Sequence, residues 1–185
     1  AIDVLFTEPS ARGVPDDEAL GQGLRAGTPT VMAVMAGGMR TAWPDYVPRP
    51  DLQVDLPAMA QDVNLSFPVP EIAAGAAAMG HVSGSADPDG VFRRIETLRQ
   101  FDGVAIPTLG LAAWLCPPSR TDPNALQDPN VPAATVVASP RVTVSGRQLH
   151  VGDKVVPLDR RGRTILRFRG REGLPEAFSL AAVIQ

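Results

Sequence analysis

Hydrophobic and polar positions change period twice along this chain of 185 residues. Residues 1–6, "AIDVLF", and 28–38, "TPTVMAVMAGG", are nearly continuous apolar runs, the pattern of strands buried on both faces. Between them "PDDEALGQGLRAG" has helical character, with Asp16 placed to cap it, Asp17 and Glu18 in the first turn and Gly27 as the stop. Strand, helix and strand at this spacing predict a βαβ unit in which "IDVLF" and "TVMAVMA" run parallel in one sheet.

Residues 37–70 hold six prolines together with Trp43 and Tyr46, and read as a long loop. Such a segment either lines a ligand or partner surface or packs back on the core as a flap. "PVPEIAAGAAAMG" predicts a helix with Pro70 near its first turn and Gly80 near its end, and "HVSGS" a short extended segment. "RRIETLRQ" alternates as a strand, Asp102-Gly103 supplies a turn, and "IPTLGLAAWLC" predicts an apolar helix with Pro107 at its start. Residues 117–133 form another Pro/Asn/Asp loop. From about 135 to 169 the period becomes two, with Gly146, Gly152-Asp153 and Gly162 as turns, and "PEAFSLAAVIQ" is again helical. The predicted class is α/β: a mixed sheet with flanking helices, then an antiparallel β meander in the C-terminal third. One domain is expected over 1–185, its α/β part at about 1–116, the meander and final helix at about 134–185.

Composition narrows the function classes. A hydrophobic share of 44% with 20% charged residues suits one globular domain with a core of its own. The net charge is −3 and the arginines are scattered among carboxylates, so no nucleic-acid footprint is expected. Cys116 is the only cysteine, which leaves no intrachain disulfide and no cysteine-based zinc site. No apolar run reaches the roughly 18 residues of a membrane span. The chain opens without Met inside an apolar run and closes on "FSLAAVIQ", which reads as a piece of a longer protein whose other parts hold membrane spans or an effector.

The stretch "SADPDGVFRRIE", residues 85–96, places Asp87, Asp89, Gly90 and Glu96 at nearly the spacing of a calcium loop. Two guanidiniums, Arg93 and Arg94, stand where they would repel a divalent cation. A turn fits better: Asp87 accepts from amides two residues on, Pro88 presets its own φ, and Gly90 takes positive φ. The expectation is a structural corner of Asp87, Asp89 and Gly90 with no bound metal. Glu96, on the following strand, is expected to point away from it. Arg93 and Arg94 then face opposite sides of that strand. Serine-hydrolase, Walker A and dinucleotide-binding motifs do not occur, and the glycines of "GQGLRAG" suit a close helix contact.

Three blocks in order, "IDVLFTEPS…DDEALGQGLRAG", "GHVSGSADPDGVFRRIETL…PTLGLAAW" and "VPLDRRGRTILRFRG", resemble the second class of CHASE sensor domain, the cyclase/histidine-kinase-associated sensory extracellular domains of bacteria. The resemblance covers nearly the whole chain. It departs at Ser10, where an aspartate is common, and at Leu166, Arg167 and Phe168, where an Asn-Tyr pair is common. It implies a non-catalytic signal-input domain, extracytoplasmic (periplasmic), carried by an inner-membrane receptor. The flanking transmembrane helices would lead to a cytoplasmic adenylate or guanylate cyclase, diguanylate cyclase or kinase. No cofactor is implied, the ligand is a small molecule or a periplasmic partner, and a homodimer is compatible. From the residues, ligand contacts are expected at the C-terminal ends of the early strands. Glu8 lies there, and Arg93 or Arg94 would anchor an anionic group. The alternative is an α/β hydrolase-like enzyme with a polar cleft near His81 and Asp87; a third is a purely structural interaction module.

Overall fold

A computed structural model describes residues 1–50, 52, 54, 59–116 and 141–167. The predicted loop over 117–133, the final helix and both ends of the 135–169 segment lie outside the described residues.

Helix α1 spans Val14–Ala26. It starts a turn earlier than Asp16 suggested, because Pro15 is tolerated in a first turn where its missing N–H has no partner to lose. Gly13 (φ 95°) is the N-cap, while Asp16 accepts the Ser10 hydroxyl at 2.7 Å and buried Asp17 accepts the Ser10 amide at 2.9 Å. Strand β1 follows at Val31–Arg40. The expected parallel pairing with the first segment is present but reduced to one bridge, Ile2 to Met32, with Ile2 N–H donating to Val31 O at 2.8 Å.

The proline-rich segment is shorter as a loop than predicted. It contributes β2 (Ala60–Gln61) and β3 (Leu65–Ser66), the latter antiparallel to the second half of β1. Trp43 is buried: its indole N–H donates to Val47 O at 3.0 Å and its ring meets Phe67 edge-on at 5.1 Å. Of the two readings of this segment, it packs back as a flap at Trp43.

The predicted helix over 68–80 is confined to α2, Pro70–Ala73. The chain then extends into β4, Ala78–His81, parallel to β1 with Ala78 opposite Val31 and His81 opposite Val34. Edge pairing with β1 thus overrides the helix propensity of the alanines. Gly21 and Gly75 let α1 meet α2 at backbone distance, since a Cβ on Gly21 would lie 2.1 Å from Glu71 O.

"RRIETLRQ" divides at Thr97 into β5 (Arg94–Glu96) and β6 (Leu98–Phe101). β6 pairs with β2 and with β7, Val104–Pro107, across the Asp102-Gly103 turn. Pro107 therefore ends a strand instead of opening a helix. Helix α3 (Leu109–Leu115) begins after Thr108, whose Oγ1 accepts from Leu111 N–H at 3.2 Å. α3 packs against β4 so closely that a Cβ on Gly80 would sit 2.6 Å from Leu109 Cα.

The meander is β8 (Val142–Ser145), β9 (Gln148–Val151) and β10 (Lys154–Pro157), antiparallel as predicted. The last strand, β11 (Arg163–Ile165), leaves it and pairs with β5. Two apolar clusters hold these parts. Met32, Val34, Trp43, Phe67, Ile72, Met79, Phe101 and Ile106 fill the first. Leu98, Leu115, Val142, Leu149, Val151 and Leu158 fill the second, which seats the meander on α3 and β6. Among the described residues no helix is long and apolar enough to cross a membrane.

Candidate functional site

β5 is the element to follow, because it and its partner β11 both begin at turns of one design. Asp87-Pro88-Asp89-Gly90 precedes β5 and Asp159-Arg160-Arg161-Gly162 precedes β11. In each, the glycine amide donates to the aspartate carbonyl (2.8 and 3.1 Å), and the aspartate amide donates to the carbonyl four residues on (Val91, 3.0 Å; Arg163, 2.8 Å). Gly90 and Gly162 take φ of 81° and 72°, where a side chain would be strained.

The side chains of the two turns do different work. Asp159 caps its own turn, its Oδ1 accepting from the amides of Arg161 (2.8 Å) and Arg163 (3.0 Å), its Oδ2 from Arg163 Nε at 2.9 Å. Burial pushes its pKa up, but the two amides and the guanidinium together outweigh that and hold it below the usual carboxylate range. In the other turn the capping bond expected of Asp87 is made by Asp89, whose Oδ1 accepts from Val91 N–H at 3.2 Å. Asp89 also receives Arg93 at 2.7 and 2.8 Å, and that hydrogen bond, with the Val91 amide, lowers its pKa. Asp87 is freed for another use. Its side chain is 3% exposed, and three guanidiniums converge on it: Arg94 at 2.7 Å, Arg93 at 3.7 Å and Arg163 at 3.8 Å. Its Oδ2 accepts no hydrogen bond.

Arg93 and Arg94 do not face opposite sides, since Arg93 precedes the regular strand and both reach the same turn. Glu8 is exposed on the segment before α1, and neither arginine pairs with it; their partners are Asp89 and Asp87. An open cavity of about 500 Å³ lies between the twin turns, lined by Arg94, Asp159, Arg160, Arg161 and Arg163, with Ala86, Asp87 and Pro88 completing the wall.

A second polar cluster lies inside, at the C-terminal end of β4. There β1 exchanges its parallel partner β4 for antiparallel β3, between Val34 and Met35, and Ser83 Oγ accepts from Ala36 N–H at 2.7 Å. Arg99 on β6 grips the Asp62 carboxylate with two parallel bonds, Nε to Oδ2 at 2.7 Å and Nη2 to Oδ1. That bond is the main reason the Arg99 pKa is raised. Glu96 lies 3.9 Å from Arg99 and accepts from Ser85 Oγ at 3.1 Å. Its partners are thus Ser85, ahead of the Asp87–Gly90 turn, and Arg99 inside, and no residue of the turn itself.

His81 is 1% exposed, and neither ring nitrogen has a partner in hydrogen-bond geometry. Burial, then the charge of Arg99, lowers its pKa to about 4, against weaker opposing pulls from the Ser83 and Glu96 backbone and from Asp62. It is a neutral imidazole sealed from solvent. It makes no hydrogen bond to Asp87, whose partner is Arg94. Among the described residues, no three His, Cys, Asp or Glu side chains gather as metal ligands.

Sequence reasoning found Asp87, Arg93 and Arg94 but missed Asp159–Arg163 and the Asp62–Arg99 pair. The first had a visible signal, since "DRRG" repeats the Asp-x-x-Gly pattern of "DPDG". The second had none, because Asp62 and Arg99 are 37 residues apart.

No curated protein and no solved structure matches the chain. The blocks that build the two turns are those that carried the resemblance, and a family model described as the CHASE2 domain matches residues 1–185, the whole chain. The protein belongs to the CHASE2 domain family, a family of sensory extracellular domains.

Proposed function

We propose that this chain is the non-catalytic signal-input domain of a bacterial transmembrane receptor, extracytoplasmic (periplasmic) and coupled through flanking membrane helices to a cytoplasmic cyclase or kinase. Family membership supports the sensory part of this reading. The observation that supports the non-catalytic part is the division of its polar groups. Solvent-facing arginines surround a cavity, while the one buried histidine is sealed and neutral, so the geometry favours recognition over acid–base chemistry. Of the trio Glu8, Arg93 and Arg94, Arg94 lines the cavity, Arg93 braces the same turn, and Glu8 stands apart. β5 gives a physical route inward, since it carries Arg94 toward the cavity and Glu96 toward the buried cluster.

The test is made in the full receptor. A reporter enzyme active only outside the cytoplasm, inserted at the Asp153 turn, should be active. Deleting residues 1–185 should change the basal cyclase or kinase output without abolishing it. An inactive reporter, or output unaffected by the deletion, overturns the reading.

A further inference from the structure

We propose that the cavity between the twin turns is a binding site for a small polar oxyanion carrying two negative charges, a phosphomonoester or a dicarboxylate. It would be held chiefly by Arg160 and Arg161 with Arg163 and Arg94 behind them. This rests on the sensory reading and adds a ligand class to it.

Charge comes first. Four guanidiniums against two carboxylates leave the cavity walls with an excess of two positive charges. Arg94 and Arg163 already have carboxylate partners at 2.7 and 2.9 Å. Arg160 and Arg161 are exposed, and neither forms an ion pair with a described residue. Two uncommitted forks beside two committed ones suit a dianion, because each fork can give an oxyanion two parallel N–H bonds.

Rigidity comes second. The turn that displays Arg160 and Arg161 is closed by three hydrogen bonds to the Asp159 carboxylate and by the Gly162 amide. Opposite it, buried Asp87 gathers Arg94 and Arg163. Both walls are therefore ordered before any ligand arrives, which lowers the entropy lost on binding.

Size and lining come third. About 500 Å³ falls in the range of small-molecule pockets. The lining holds no aromatic side chain, and its non-polar residues are Ala86 and Pro88, so it offers no platform for a nucleobase or an acyl chain. What remains is a compact, strongly hydrated anion.

The 185-residue chain is titrated calorimetrically with inorganic phosphate and with succinate at low, matched ionic strength. Saturable one-to-one binding of at least one is expected, and the preferred anion tells the phosphate source from the carboxylate source. Arg160→Ala/Arg161→Ala should weaken it by about tenfold or more, because charge-assisted hydrogen bonds are lost, with Tm unchanged because both side chains are exposed. A control of equal charge change, Arg40→Ala/Arg49→Ala, removes two exposed arginines that do not line the cavity and should leave affinity as it was. The proposal falls if neither anion saturates, if the Arg160/Arg161 variant binds like the parent, or if the control loses as much. Such a failure would leave the receptor-level test of sensing untouched.

Discussion

The outer and inner ionic clusters use the same residue types to opposite ends. Around Asp87 and Asp159, carboxylates are used to hold arginines at the edge of water, and Arg93 keeps 49% of its side chain exposed. Around Asp62 and Arg99 the pair is drawn inside, with exposures of 6% and 15%, beside a histidine denied its charge. Water therefore remains a competitor at Arg93 and Arg94 in the first cluster, though not at buried Asp87 or at Arg163, and reaches little of the second. The lesson is that an ion pair's place, more than its geometry, decides whether it serves recognition or rigidity.

The sharpest way to break this contrast is Asp62→Ala. It removes both bonds of the Arg99 fork and leaves Glu96, 3.9 Å away, as its remaining carboxylate, and about 3–4 kcal/mol of stability should be lost in denaturant unfolding. A loss below 1 kcal/mol would mean that Arg99 finds water and that the inner cluster is not sealed.

Next comes pH. The folded-state pKa of His81 is about 4, below its unfolded value near 6.5. Above pH 6.5 both states are neutral and the group is silent. Between 6.5 and 4 the unfolded chain binds the proton first, so stability should fall as pH falls, by up to about 3 kcal/mol in all. His81→Leu should flatten that part of the stability–pH curve and remove two unpartnered buried nitrogens. An unchanged slope would place the titration elsewhere.

Asp87→Ala is expected to be milder, about 1–2 kcal/mol, because Arg94 is 35% exposed and can rehydrate. The smallest effect belongs to Arg93→Ala, whose partner Asp89 is more than half exposed: no measurable change in Tm is expected. If Arg93→Ala proves as damaging as Asp87→Ala, the two aspartates are not separable in the way the hydrogen bonds indicate.

Elements whose signal is local were legible in the sequence. Helix α1, the apolar run of β1, the Asp102-Gly103 turn and the alternating strands of the meander each announce themselves in a local window. The misreadings at residues 68–80 and at Pro107 have different causes. Ala78–His81 is extended because it pairs with β1, which no window around it contains, whereas Val104–Pro107 pairs with the adjacent β6, and Pro107, read as a helix start, closes that hairpin instead. The site follows the same rule. Asp87, Asp89 and Arg94 lie within eight residues and were visible as a corner, whereas the other wall of the cavity arrives only through the pairing of β5 with β11.

One consequence of the Asp159 turn concerns how such a protein can change over generations. The residues that build the turn, Asp159 and Gly162, are not the ones that display charge, Arg160 and Arg161. Inheritance can therefore treat frame and display separately. A descendant line could exchange the two arginines for other exposed side chains, and so respond to a different chemical, while the backbone that presents them stays as it is. Loss of Asp159 or Gly162 would remove the frame itself, and with it every future specificity that loop could acquire.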